Sequence, residues 1–566
     1  MVLHIKDFIT DERNCTPDFV RVVEMLKDGD VLCLDGGKYQ LFPDGARAET
    51  YYMSNNDGGV KPIAIPLINK RNVTVDGGGA ELIFNGEILP IVIDGSENVC
   101  VRNLSIDYAE PMYAQCEVAE VDGDRAVLKF DGDEFNCRVD SDGHFCFYSK
   151  KCGWEYHRTR GLALEFDREG KPSAYSYPFF PYCGEPADHG FLGGMFKDVK
   201  LRELDENLIE MRGEFGLSKL TAGNYLVMTY AGREFPGIFA NESKNVSICG
   251  VRLYQTISMG VIMQTSENIL LDGVVAEPRE NSGRILSTGA DSTHFVNCRG
   301  KIEIANCKFV KMMDDAVNIH GNYHLYKERK APDTLILKVG HFQQQGVQTY
   351  RVGDEVAVID STTNEVKLIA NVLEAELVDL TTIRLRLDRT VDEPGEYWVT
   401  ENLSTAPEVY IHDTESGYNR PRGFLLSSRG KTLVERCKFY NMEQGIQLSG
   451  EMCDWYESGA ALDVTIRDND FTNSAYFHGV AILSRPLLRA TQYNKDIIYS
   501  GRLVVENNLF SQSDKRIMTV EHAQHVIFRN NTFKKDETLA YHGRNGQNGI
   551  TCAHCGTVEI EDVRDI

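Results

Sequence analysis

Short runs of alternating apolar and polar residues recur along most of the 566-residue chain. Each is closed by Asn, Cys or Gly and followed by one more apolar residue. The runs include "KRNVTVDGGGAELIF", "SENVCVRNLSIDY", "SKNVSICGVRLY", "SENILLDGVVAE", "RGKIEIANCKFV", "GKTLVERCKFY", "ALDVTIRDNDF", "GRLVVENNLF" and "AQHVIFRNNTF". Alternation at period 2 reads as strand. Asn245 to Asn268 and Asn508 to Asn531 are each 23 residues apart. A repeat in the twenties reads as a solenoid in which every coil buries its apolar face on the next. Leucine-rich repeats share the period but need a Leu ladder that this chain lacks. Strand-rich coils with Asn at the corners predict an all-β fold, a right-handed parallel β-helix. Asn suits those corners because it tolerates the left-handed conformation.

Two segments interrupt the repeat. Residues 113–235 and 323–415 read as antiparallel strands joined by Asp-Gly and Gly-Asp turns. They predict two small β-barrel domains inserted at corners of one solenoid. The expected division is 1–112 for an N-terminal cap and first coils, 113–235 for the first barrel and 236–322 for the central coils. The second barrel then takes 323–415 and the last coils 416–566. Within the cap, "TPDFVRVVEMLK" (16–27) predicts a short amphipathic helix, with Thr16 as N-cap and Pro17 in its first turn. Such a helix would cover the open end of the strand stack.

Composition narrows the function. A net charge of −24 argues against nucleic-acid and anionic-membrane partners, and mildly against a polyanionic glycan. No run reaches the ~18 apolar residues of a membrane span. The N-terminus "MVLHIKDFITDERNC" shows no signal peptide. The expectation is a bacterial protein without membrane insertion, cytoplasmic, or secreted or periplasmic where a signal has been removed. The 15 cysteines are scattered singly and read as buried free thiols. Cys552 and Cys555 form the one tight pair, and a lone CxxC is weak evidence for a metal.

The candidate chemistry lies in "MMDDAVNIHG", residues 312–321. Asp291, in "STGADSTHF", precedes Asp314 by 23 residues, one coil. Neighbouring rungs stack about 4.8 Å apart, so Asp291, Asp314 and Asp315 should cluster on one face. Like charges held close raise one another's pKa, and three carboxylates therefore need a reason. An inverting glycosidase supplies one, pairing a protonated acid with a carboxylate that activates water. If Val317 and Ile319 face the core, then Asp314, Asn318 and His320 face outward. Asp315 would then point inward unless a corner or bulge re-aims it. The bulge is the preferred expectation.

"NVTVDGGGAELIF", "ADSTHFVNCRGKIEI", "MMDDAVNIHG" and "WYESG" (455–459) resemble motifs of glycoside hydrolase family 110, the α-1,3-galactosidases. That family includes enzymes that remove the terminal galactose of the blood-group B antigen. The resemblance spans nearly the whole chain. It implies a parallel β-helix, exo-action with inversion at the anomeric carbon, no cofactor, no metal, and a homodimer. The partner it implies is a galactose-terminated oligosaccharide or glycoconjugate. More distantly the chain is similar to polygalacturonases, which also use one aspartate followed by an Asp-Asp pair. On that analogy Asp314 is the general acid, and Asp291 with Asp315 activates water. The Arg-Ile-Lys motif with which polygalacturonases hold uronates is missing here, which favours a neutral hexose.

Other candidates carry two readings each. His294 and His320 either contact substrate or are turn histidines bonded to backbone. Trp455 and Glu457 either form an aromatic-acidic sugar site or a capped loop. Arg284 either faces Asp291 or makes a surface pair. A lyase or epimerase on the same fold, and a non-catalytic glycan-binding β-helix, are the competing functions. A lyase needs Lys or Arg against a uronate carboxylate, often with calcium. A binding protein needs no carboxylate cluster.

Overall fold

The computed structural model describes residues 1–566 apart from 157–162, 174–199, 214–219, 230–231, 478, 491–493, 539–548 and 562. Apart from one α-helix and two short 3-10 turns its described regular elements are strands, and the long solenoid sheets are parallel. Each coil repeats the register of its neighbour. Lys244–Cys249 pairs with Glu97–Tyr108 on one side and Glu267–Asp272 on the other. Leu89–Asp94, Ile238–Asn241, Val261–Gln264, Thr293–Val296 and Val317–Ala331 stack in the same way on a second face.

The corner asparagines do what the repeat asks. Asn72, Asn98, Asn245 and Asn268 all have φ between 52° and 56°. Their amides chain from rung to rung, Asn98 to Asn72 at 2.8 Å, Asn245 to Asn98 at 2.8 Å and Asn268 to Asn245 at 3.1 Å. A second ladder, Asn469–Asn508–Asn531, is buried. The solenoid interior stacks like residue on like, as in Phe439, Phe471 and Phe510 with ring centroids 4.8 and 5.0 Å apart.

The N-terminal helix spans Thr16–Met25 and buries Phe19, Val22 and Val23 against strand Gly59–Ile68. Cys15, not Thr16, is its N-cap. Thr16 is the first helical residue, and its hydroxyl instead accepts from the Phe42 amide at 2.8 Å.

In the first insertion the described strands between Tyr113 and Thr229 form a six-stranded antiparallel sheet with a three-stranded companion. The second insertion is a closed six-stranded antiparallel barrel. Strand Val317–Ala331 leaves the solenoid and pairs with both Thr334–Val339 and Trp398–Asn402. The remaining pairings, through Thr382–Leu387, Glu365–Asp379 and Glu355–Asp360, complete the ring. The same strand therefore carries site residues at its start and barrel residues at its end. Among the described residues no helix is long and apolar enough to cross a membrane.

Candidate active site

Asp291 lies at the corner before strand Thr293–Val296, and Asp314 and Asp315 lie at the corner before Val317–Ala331. The two strands are neighbouring rungs, with Thr293 opposite Val317 and His294 opposite Asn318. One carboxylate oxygen from each aspartate lies within 4.8 Å of the others. The spacing argument thus brings together the three residues it named. No β-bulge does this. A corner does, pinned by the Asp315 carbonyl accepting from Ser292 at 2.8 Å and the Asp314 carbonyl accepting from Asn419 at 2.8 Å.

The three carboxyls differ sharply in surroundings. Asp315 points inward, its side chain 1% exposed. It accepts from the Arg422 guanidinium at 2.7 Å and from the Arg422 backbone N–H at 3.2 Å. Arg422 is half-buried, and Asp315 and Asp314 favour its charged form. Burial, the largest influence, pushes the Asp315 carboxyl well above the usual carboxylate range, with Arg422 pulling the other way. Asp291 is also buried, its Oδ2 2.8 Å from His294 Nδ1 and its Oδ1 accepting from the Asp315 N–H at 3.3 Å. Burial first, and Asp314 second, push its carboxyl up to about 8. Asp314 is the accessible member at 17% side-chain exposure, with Oδ2 accepting from Arg233 at 2.9 Å.

The histidines are not where a sugar could touch them. His294 and His320 each have 0% side-chain exposure, which corrects the expectation of substrate contact. His320 is nonetheless buried: strand Glu457–Ser458 pairs antiparallel with Gly321 and Asn322, and Glu457 comes within 3.5 Å of its ring. Burial lowers His294 to about 4 and lowers His320 as well. Asn318 is buried in the same way, and its Oδ1 has no protein hydrogen-bond partner.

Glu457 is buried, accepts from Asn55 at 2.7 Å and lies 3.5 Å from His320 Nε2. It faces the histidine pair rather than open solvent. Trp455 is half-buried, its ring 4.2 Å from the His341 ring, with the Arg233 guanidinium 5.8 Å above it. Arg284 is elsewhere. It bonds Asp107 and Glu134 and the carbonyls of Tyr108 and Ala109, fastening the first insertion to its coil. Of its two readings, ion pairing is the one seen and facing Asp291 is not, so Arg284 does not serve as a substrate-binding residue at the aspartate cluster.

Sequence reasoning missed Arg233, Arg422 and Asn55. Arg422 had a findable signal. It sits 107 residues beyond Asp315, but the rung register runs directly from Val317 to Phe424. Skipping the inserted barrel reduces the step to one coil. Arg233 and Asn55 come from loops outside the repeat and leave no periodic mark.

A family model described as GLAA-B β-barrel domain II matches residues 334–394. One described as a right handed beta helix region matches residues 418–564. An α-1,3-galactosidase B of Phocaeicola vulgatus is 30% identical over 97% of this chain and 92% of its own length. The chain belongs to glycoside hydrolase family 110. Two further relatives in the family lie at similar distance. An α-1,3-galactosidase B of Bacteroides fragilis is 30% identical over 92% of this chain and 89% of that protein. An α-1,3-galactosidase A of Shewanella woodyi is 28% identical over 88% and 79%. The barrel match lies inside the closed second insertion, and the helix match covers the last coils, so the family's architecture is that of this chain.

Proposed function

We propose that the protein is an exo-acting α-1,3-galactosidase that releases terminal galactose with inversion. The observation that carries this is the carboxylate cluster with three unequal members, in a chain whose relatives are named α-1,3-galactosidases. Asp314, the accessible one, donates a proton to the leaving glycosidic oxygen. Asp315, gripped by Arg422, forms the water side together with Asp291. Water attacks the anomeric carbon as the bond to the departing sugar breaks, and the water proton passes to a carboxylate. Trp455 offers an aromatic face near Asp314, suited to the apolar side of galactose. Arg233 joins the two, bonding Asp314 and lying over Trp455. The substrate is a neutral galactose-terminated glycan, branched and fucosylated as in blood-group B or linear Gal-α-1,3-Gal. Release of galactose from each of the two is the deciding assay.

One observation favours a second reading, retention. Inverting enzymes commonly separate their carboxyl groups by ~6.5–9.5 Å, retaining ones by ~5–5.5 Å, and here the nearest oxygens lie within 4.8 Å. Access argues the other way. A covalent nucleophile must reach the anomeric carbon, yet both oxygens of Asp315 are taken by Arg422, and those of Asp291 face His294 and the Asp315 amide. Only Asp314 is open, and it serves as the acid; an Asp315 oxygen that already accepts from Arg422 keeps a second lone pair for a water proton, though not room for a sugar carbon. The anomer released first separates the two readings.

A further inference from the structure

The buried histidine pair beside Asp291 is used by neither reading. Its protons can be placed by counting. His320 Nδ1 lies 2.7 Å from the Gly321 carbonyl, an acceptor only, so Nδ1 carries a hydrogen. A neutral His320 then has a bare Nε2. That atom lies 3.0 Å from His294 Nε2, so the hydrogen between them belongs to His294. A neutral His294 with its hydrogen on Nε2 has a bare Nδ1, and that bare nitrogen is what Asp291 Oδ2 meets at 2.8 Å. Two acceptors do not approach so closely without a proton between them. Asp291 must supply it.

Both rings have no exposure, and burial disfavours a charged imidazole, which supports the neutral assignment. Asp291 Oδ1 accepts from the Asp315 N–H, leaving Oδ2 as the protonated oxygen. Glu457, at 3.5 Å from His320 Nε2, is beyond good hydrogen-bond length, as expected where that nitrogen bears no hydrogen.

We propose that His294 and His320 are positioning residues, a locked tautomer pair that keeps a proton on Asp291 as the reserve from which the cluster recharges the acid Asp314. The inference rests on the galactosidase reading but moves Asp291 from the water side to proton supply, leaving Asp315 alone to take the water proton. Asp315, held by the Arg422 guanidinium, takes the proton of the attacking water. Asp314 gives its proton to the leaving oxygen and regains one from Asp291. The proton on Asp315 then returns to Asp291, so each turnover consumes one water and leaves the cluster's proton count unchanged. The charged and titratable groups facing Asp291 are Asp314 and Asp315 from the neighbouring rung, Arg422 from the rung beyond, Glu457 from the covering strand, Arg233 from the loop and the two histidines. The raised carboxyl of Asp291, at about 8, agrees with the hydrogen-bond count.

The test has two arms. The first is nitrogen-15 NMR of histidine-labelled wild-type protein near pH 7, with His294→Asn and His320→Ala spectra for assignment. The proposal expects His294 protonated on Nε2 and bare on Nδ1, with His320 the reverse. A protonated Nδ1 on His294 overturns it. The second arm is the pH profile of kcat/KM on Gal-α-1,3-Gal. Wild type should lose activity as pH rises through about 8, when Asp291 gives up its proton. In His320→Ala, His294 is free to turn its hydrogen toward Asp291 and stabilise the carboxylate, so that limb should move ~1–2 units to lower pH. A lower kcat with an unmoved limb means a structural role and overturns the proposal. If wild type releases no galactose at all, the galactosidase reading falls and the recharging role with it, and the tautomer arm then decides only whether Asp291 holds the proton.

Discussion

Asp314, Asp315 and Asp291 share one face but not one environment, and their consequences differ accordingly. Asp314→Asn removes the accessible carboxyl to which we assign the acid role. It should be nearly inactive on natural disaccharides, with partial recovery on an aryl galactoside that leaves without a proton, provided the site admits it. General acid catalysis contributes ~10²–10⁴-fold, so steady-state kinetics on the two substrates checks this directly. Asp315→Asn should show no such recovery, because water must be activated whatever leaves. Asp291 also makes a stability prediction. Its folded carboxyl is raised to about 8 from 3.8, so the folded state binds the proton more tightly. Its contribution is full below the unfolded value and is lost as pH rises toward about 8. The stability of wild type relative to Asp291→Asn should therefore fall across that window, as denaturant unfolding at stepped pH would show. The cluster itself was legible because one coil is 23 residues, and that number places Asp291 over Asp314. Burial of His294 and His320 was not legible, because the strand that pairs beside His320 comes from far along the chain, with Ser458 opposite Gly321 and Glu457 opposite Asn322.

At the scale of elements, alternation told which strands exist and which side chains enter the core. Val317 and Ile319 are both buried as the pattern required. At the corner the alternation held and the preferred bulge did not form: Asp315 is buried, and Arg422 meets it. Period-2 reasoning prices an inward carboxylate as an error, and the partner that cancels the error lies across an inserted barrel. The covering strand Glu457–Ser458 depends on Gly459, whose φ is +124° and whose added Cβ would fall 1.5 Å from the Ser427 carbonyl oxygen. Gly459→Ala should displace that strand, with overpacking costing about 1–3 kcal/mol. Thermal unfolding should register the loss, and kcat/KM should fall with it as Glu457 moves off His320.

For the molecule as a whole, the repeat made the solenoid legible, and the breaks in it marked both insertions. The closed barrel at residues 317–402 could be read as antiparallel strands, yet closure depends on one strand pairing on both edges, which no local pattern encodes. A solenoid divides its labour: coils far from the site stabilise without shaping it. Phe510 is fully buried and stacks on Phe471. Phe510→Ala should cost about 3–5 kcal/mol of stability while leaving kcat and KM of the folded protein unchanged, which calorimetry and kinetics together would show.

The central claim is hydrolysis of an α-1,3-galactoside by water delivered to a cluster in which only the acid is open. Proton NMR of the first minutes of Gal-α-1,3-Gal cleavage tests it most directly. β-Galactose should appear first and equilibrate afterwards by mutarotation. Initial α-galactose would mean a covalent nucleophile and contradict the roles given to the three aspartates. No free galactose would contradict the activity itself.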